Sequence, residues 1–269
     1  MTTPVPDGEL YTGRQVVVLA ERRARSNHAR TLNSIGGFSN VLRSSDFEDH
    51  AVTSEAAAQA DAIVFDEIGV AVVSADPEQR SALSVAVADS DDVIAVEPEL
   101  IHHALTVTAD YTRGYSDGVA DLAGRLHASN GVAAVAVMPA LADTDAYTWG
   151  LQATRVNTST KSGHGIRIAV LDTGFDTSHP DFSGRAVTTK SFIIGEAVKD
   201  GNGHGTHCIG TSCGSNAPAG TRRYGVAYGA EIFAGKVLSN AGRGADAGIL
   251  AGINWAVANH CDIISMSLG

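Results

Sequence analysis

A nearly uninterrupted apolar run that ends in an acid and a glycine, IRIAVLDTG at residues 166–174, fits a β-strand only if both of its faces are buried. Similar runs follow at Ile232–Val237 and Asp262–Ser267. Between them Ala247–Ala258 has helical spacing, with Ile249, Leu250, Ile253 and Val257 on one face. Doubly buried strands joined by crossover helices belong to parallel sheets, so residues 150–269 are expected to form an α/β unit. The first hundred residues have another texture. Gln15–Ala20 is β-rich, Ala62–Phe65 and Gly69–Ser74 bracket a turn, Pro77–Ala88 has helical spacing, and Val93–Val96 closes as a strand. That order, strand, helix, paired strands, helix, strand, is the order of a small ferredoxin-like α+β sandwich. Residues 105–146, with an amphipathic stretch around Ser116–Ala128, read as a linker or an insertion.

Charge divides the chain at the same place. The formal net charge of −11 splits into −13 over residues 1–150 and +2 over residues 151–269, which suggests two units with different jobs. Phosphate binding needs clustered cations, so this balance argues against a nucleic-acid partner. With 44% hydrophobic and 18% charged residues the chain has the apolar side chains for real cores. No run reaches the roughly 18 apolar residues of a membrane span, and Asp7 and Glu9 precede the first apolar run, so no export signal is visible. Cys208, Cys213 and Cys261 are odd in number and lack CxxC spacing, which leaves them free or joined in one bridge at most.

Two elements carry chemistry. Asp172 sits where the IRIAVL strand ends, and ligands and catalytic groups collect at the carboxyl ends of parallel strands. Taken alone, an Asp before Thr-Gly reads first as the cap of a turn. The second element, Asp200-Gly-Asn-Gly-His-Gly-Thr-His-Cys, sets glycines on both sides of His204 and then a run able to start a helix. Glycine permits close approach, and a helix N-terminus disfavours an extra positive charge, so the imidazole is kept basic near neutral pH, as a general base requires. His207 lies three residues on, which raises a metal pair. The familiar helical zinc pair is spaced i, i+4 with an intervening Glu, and neither condition is met.

DTGFDTSHPDFSGR together with NGHGTHCIGT resembles the subtilisin-like serine peptidases, and the HGTHC form, DGNGHGTH and Arg223-Tyr-Gly-Val-Ala bring it closest to the proteinase K group. The likeness runs through GKVLSNAGRGADAGILAGINWA to DIISMSLG and covers roughly residues 147–269. It implies the following expectations. Asp172 orients the imidazole, His204 is general base and acid, and His207 is structural. Ser267, Leu268 and Gly269 form the strand that pairs with an extended polypeptide substrate, and Ser239, Gly242 and Gly244 belong to the opposite wall. Catalysis needs no cofactor and no metal. Asp181 matches a calcium ligand of some relatives, whose Asn-rich calcium loop has no counterpart in Gly214–Arg223. Residues 12–104 correspond to a propeptide that inhibits its own enzyme, with IAVEPELIHHAL at its end. Residues 105–146 hold the processing region, and residues 147–269 begin the peptidase domain. Family analogy favours export.

The family's Gly-Thr-Ser-Met-Ala nucleophile motif and its oxyanion Asn motif do not occur in residues 1–269. Gly210-Thr211-Ser212-Cys213 is a look-alike, but eight residues of helix put Ser212 about 12 Å from His204. Ser265 and Ser267 read as strand and cleft residues. The expectation is therefore a serine endopeptidase in the full-length parent, of which these residues are an inactive fragment. The alternatives are a non-catalytic relative acting as a binding or inhibitory module, and a metal-dependent hydrolase using Asp172, His204 and His207.

Overall fold

The computed structural model of the chain describes residues 10–20, 28–105, 121 and 142–269. Apart from residue 121, the expected amphipathic stretch at 116–128 lies outside the described residues, as does nearly all of the 105–146 linker.

The first unit runs β1 (Tyr11–Leu19), α1 (His28–Gly36), β2 (Val41–Arg43), α2 (Ser54–Ala57), β3 (Ala62–Phe65), β4 (Val70–Val73), α3 (Pro77–Asp89) and β5 (Val93–His103). Strands β3, β4, β1 and β5 lie side by side and antiparallel, which is the ferredoxin-like order, and β2 adds a parallel edge beside β3. Helix α3 starts where its sequence says it should: Asp76 and Gln79 form a reciprocal capping box and Pro77 occupies the first helical position. The sheet alternates side chains between two cores. Val17, Val64, Ala71 and Val73 meet Leu32 and Leu83 of the helices. Ile63, Phe65 and Val72 point the other way.

The second unit contains α4 (Trp149–Ala153), β6 (Arg167–Asp172), β7 (Val187–Ser191), α5 (His204–Cys213), β8 (Glu231–Lys236), β9 (Arg243–Ala245), α6 (Asp246–Ala258) and β10 (Ile263–Ser265). Strands β10, β6, β8 and β7 form a parallel sheet in that order. Strand β6 shows why its sequence is apolar throughout. Ile168 and Val170 pack with Ile209 and Cys213 of α5, whereas Ala169 and Leu171 pack with Trp255 of α6.

Helix α6 departs from the expected single stripe. Val257 is 37% exposed, while Ala247, Ala251, Asn254, Trp255 and Ala256 are buried with Ile249. The physical reason is that α6 is covered on two sides. Phe192 and Phe233 stack edge-on against Trp255 from the parallel-sheet side, and Ala51, Val52, Ile63 and Phe65 of the first unit join the same core. Asn254 is fully buried because its amide is used twice, accepting from the Glu67 backbone N–H at 2.9 Å and donating to the His50 carbonyl at 3.1 Å. A helix with two partners needs two buried faces, and a one-face pattern describes only half of it.

Strand β5 links the units. Its end pairs antiparallel with β9 through Ile101–Ala245, His102–Gly244 and His103–Arg243, so the first sheet continues into the second unit. Glu99, fully buried, ties the junction. It receives Thr12 Oγ1, both arms of Arg14 at 2.6 and 2.8 Å, and the Ala247 backbone N–H at 2.9 Å, one of the unpaired donors at the start of α6.

Candidate active site

Asp172 ends β6 with 1% of its surface exposed. Its Oδ1 accepts from the Thr173 backbone N–H at 2.7 Å and lies 2.7 Å from His204 Nδ1. A carboxylate only accepts, so this contact assigns the proton to Nδ1. His204 opens α5, directly after Gly203, whose φ of +98° lies in the left-handed region that suits glycine.

The first turn of α5 is fastened to the end of β6 by Asp200 and Thr173. The Asp200 carboxylate accepts from the backbone N–H groups of Asn202, Gly203 and Thr206 and from the hydroxyls of Thr206 and Thr173, all at 2.7–3.0 Å. Thr173 Oγ1 in turn accepts from Gly205 N–H at 2.8 Å. Burial alone would raise the Asp200 pKa, but the bonds from Gly203, Thr206 and Thr173 win and hold it at about 2. Close approach is why position 205 is glycine: a Cβ there would stand 2.3 Å from the Gly174 carbonyl oxygen. Beneath them buried Lys236 donates to the Thr173 carbonyl and to Asn240 Oδ1, and pairs with Glu196 at 3.2 Å. Sequence reasoning misses Asp200, Thr173 and Lys236 as site residues, although Asp200 heads the glycine-rich motif.

His204 Nε2 faces the Leu105 carbonyl oxygen at 3.2 Å. Leu105 ends an extended segment that lies between two walls. On one side His102 stands opposite Gly244, and Ala104 N–H donates to the Gly242 carbonyl at 2.8 Å. On the other, His103 exchanges two backbone hydrogen bonds with Gly269 at 2.9 and 3.0 Å, Ala104 bridges to Leu268, and Leu105 N–H donates to the Ser267 carbonyl at 3.0 Å. Five of the six expected wall residues therefore meet around residues 102–105. Ser239 lies a step back, closing the 239–243 turn by accepting from Gly242 N–H at 2.8 Å and donating its own N–H to the Arg243 carbonyl.

With acceptors facing both of its ring nitrogens, His204 favours the imidazolium. Burial works against the charge, but the Asp172 hydrogen bond and charge, with the Leu105 carbonyl, outweigh it and raise the His204 pKa above the ordinary histidine value. Cys208, one turn further along α5, brings Sγ within 3.8 Å of His204 Nδ1. Burial, helped by the nearby carboxylates, pushes its pKa to about 11, so it stays a thiol near neutral pH. All three cysteines are free.

The remaining candidates fall elsewhere. Ser212 Oγ donates to the Cys208 carbonyl at 2.9 Å on the same helix, away from the imidazole. His207 is exposed and lines a cavity of about 790 Å³ with Trp149, His179, Phe182 and Tyr224. Among the described residues the one cluster of side chains close enough to share a metal joins Asp172 and His204 to Cys208, without His207. Asp181, the expected match to a calcium ligand, uses one of its oxygens to accept the Tyr224 hydroxyl at 2.5 Å.

Comparison with known proteins agrees with this geometry. Residues 163–269 match the subtilase family model, Peptidase S8. The chain is 43% identical to a cuticle-degrading protease of Metarhizium anisopliae over 115 residues, 40% of this chain and 28% of that protein. It is 42% identical to subtilisin E of Bacillus subtilis over 110 residues, 40% of this chain and 28% of that protein. Alkaline protease 2 of Aspergillus fumigatus is 41% identical over 38% of this chain and 19% of its own length. The chain thus spans under a third of each of these relatives. In fold it is similar to fervidolysin from Fervidobacterium pennivorans, a keratinolytic enzyme related to subtilisin, with a TM-score of 0.56 at 20% identity over 99% of this chain and 37% of that one. Residues 163–269 are thus similar in sequence to the subtilase family, and the chain is similar in fold to a subtilisin-related enzyme.

Proposed function

We propose that the full-length parent is a serine endopeptidase acting on polypeptides, with Asp172 and His204 as two members of its triad. The observation that carries this is the His204 ring, held by Asp172 at 2.7 Å on one nitrogen and facing a peptide carbonyl at 3.2 Å with the other. In this reading Nε2 takes the proton of an attacking serine hydroxyl and returns it to the leaving amine, and Asp172 fixes the tautomer and balances the imidazolium. The nucleophile and the oxyanion donor come from sequence other than residues 1–269, so this chain alone does not hydrolyse peptides.

Residues 12–104 are the propeptide, residues 105–146 the processing region, and residues 147–269 the start of the peptidase domain. The 102–105 segment supports this, because it pairs on both sides as a substrate would and ends on the carbonyl that faces His204. The bond cleaved in self-processing is Leu105–Thr106, and the propeptide, retained in place, blocks the cleft. In an assay on denatured casein the mature parent is expected to release peptides, and the isolated 269 residues to release none. Hydrolysis by the isolated chain that His204→Ala abolishes would overturn the assignment of the nucleophile, and an inert parent would overturn the activity itself.

A further inference from the structure

The segment lying in the cleft carries more than a backbone. If Leu105 contributes the cleaved carbonyl, then Ala104, His103 and His102 are the second, third and fourth residues before the bond. His102 stands opposite Gly244, which has no side chain, and its imidazole reaches over β9 to Asp246 at the start of α6. Nε2 lies 2.7 Å from Asp246 Oδ1, with the two side chains 23% and 20% exposed. The other oxygen, Oδ2, accepts the Leu100 backbone N–H at 2.7 Å. That second bond requires no particular side chain on the bound strand, so any extended occupant supplies it. It orients the carboxylate, and Oδ1 is left to meet the side chain at the fourth position.

A partly desolvated carboxylate in this position discriminates by charge. A cationic or hydrogen-donating side chain satisfies Oδ1, an aliphatic one strips its water and returns nothing, and an acidic one adds repulsion. We infer that Asp246 makes the subsite for the fourth residue before the cleaved bond acidic, so that the enzyme takes polypeptides with a basic residue there. This rests on the peptidase reading above and adds a substrate class to it. His102 of the propeptide is then the enzyme's own example of the preferred side chain.

Two measurements separate this proposal from the reading it rests on. In the first, nonapeptides with the sequence of residues 99–107, which include the Leu100 N–H, carry His, Arg, Leu or Glu at the position of His102 and are offered to the mature parent and to Asp246→Leu. Arg and His peptides are expected to show kcat/KM about tenfold above Leu, the size of one charge-assisted hydrogen bond, with Glu lowest. Asp246→Leu is expected to reverse the order of Arg and Leu. Equal rates for all four peptides, or the same order in both enzymes, would overturn the proposal. The second measurement needs no catalysis: amide exchange at His103 and Leu105 in the 269-residue chain. Asp246→Leu and His102→Leu are each expected to speed it about tenfold, and unchanged exchange in His102→Leu, which keeps the Leu100 bond to Asp246, overturns the subsite whether or not peptides are cleaved. Faster exchange together with no cleavage of any peptide sustains the anchoring of a basic side chain by Asp246 and overturns the peptidase reading instead.

Discussion

In the parent's peptidase domain, folded with the propeptide supplied as a separate chain and then removed, His204→Ala is expected to lower kcat by about 10⁶-fold and Asp172→Asn by about 10⁴-fold, the sizes known for the histidine of subtilisin and for the Asp→Asn change in a chymotrypsin-type triad. Geometry gives the reason for the order. Removing the imidazole leaves no group to take the serine proton. Asp172→Asn keeps an oxygen and the turn that depends on the Thr173 N–H, but it exchanges a charge for a neutral amide. The imidazolium formed during attack then lacks a counter-ion, and an amide rotated to present its NH₂ favours the wrong tautomer. Burst and steady-state kinetics on one peptide check both substitutions, with circular dichroism to show that the fold survives. Loss of less than about tenfold in the His204 variant is incompatible with a general base at this position.

Glu99→Ala is expected to destabilise the 269-residue chain by about 3 kcal/mol, toward the lower end of what breaking a buried charge pair costs, because a quarter-exposed Arg14 recovers some of its hydration. The carboxylate is fully buried and serves Thr12, Arg14 and the Ala247 N–H together. Its loss strands an N–H at the start of α6 beneath the first unit's sheet. Glu99→Gln keeps an acceptor for that N–H and is expected to cost less than half as much. Urea unfolding of the three proteins measures this directly. A difference under about 0.5 kcal/mol between wild type and Glu99→Ala would mean that the units are not joined through this residue.

Residues 166–172 are legible as a strand because every feature that marks them is local: apolar on both faces, an acid at the end, a turn after it. The glycines around His204 are equally informative, since a motif of consecutive residues needs no knowledge of distant partners. Long-range pairings leave no such trace. Glu99 and Ala247 are 148 positions apart, Glu67 and Asn254 are 187 apart, and His102 and Asp246 are 144 apart. No periodicity connects such pairs. A signal for Glu99 does exist, as an acid inside an otherwise β-forming run, and an acid there asks for a buried partner. The single stripe on α6 misleads for the same reason, because its second covering surface comes from residues nearly two hundred positions earlier.

The central claim is that residues 102–105 lie in the cleft as the product side of a cleaved peptide, with Asp172 and His204 as the machinery that cleaves it. Intact mass and terminal sequencing of the purified full-length parent test it most directly. The expected result is a propeptide ending at Leu105 and a partner beginning at Thr106 or trimmed toward Thr148, with neither formed by the His204→Ala protein. A propeptide ending anywhere else, or the same cleavage in the His204→Ala protein, would contradict it.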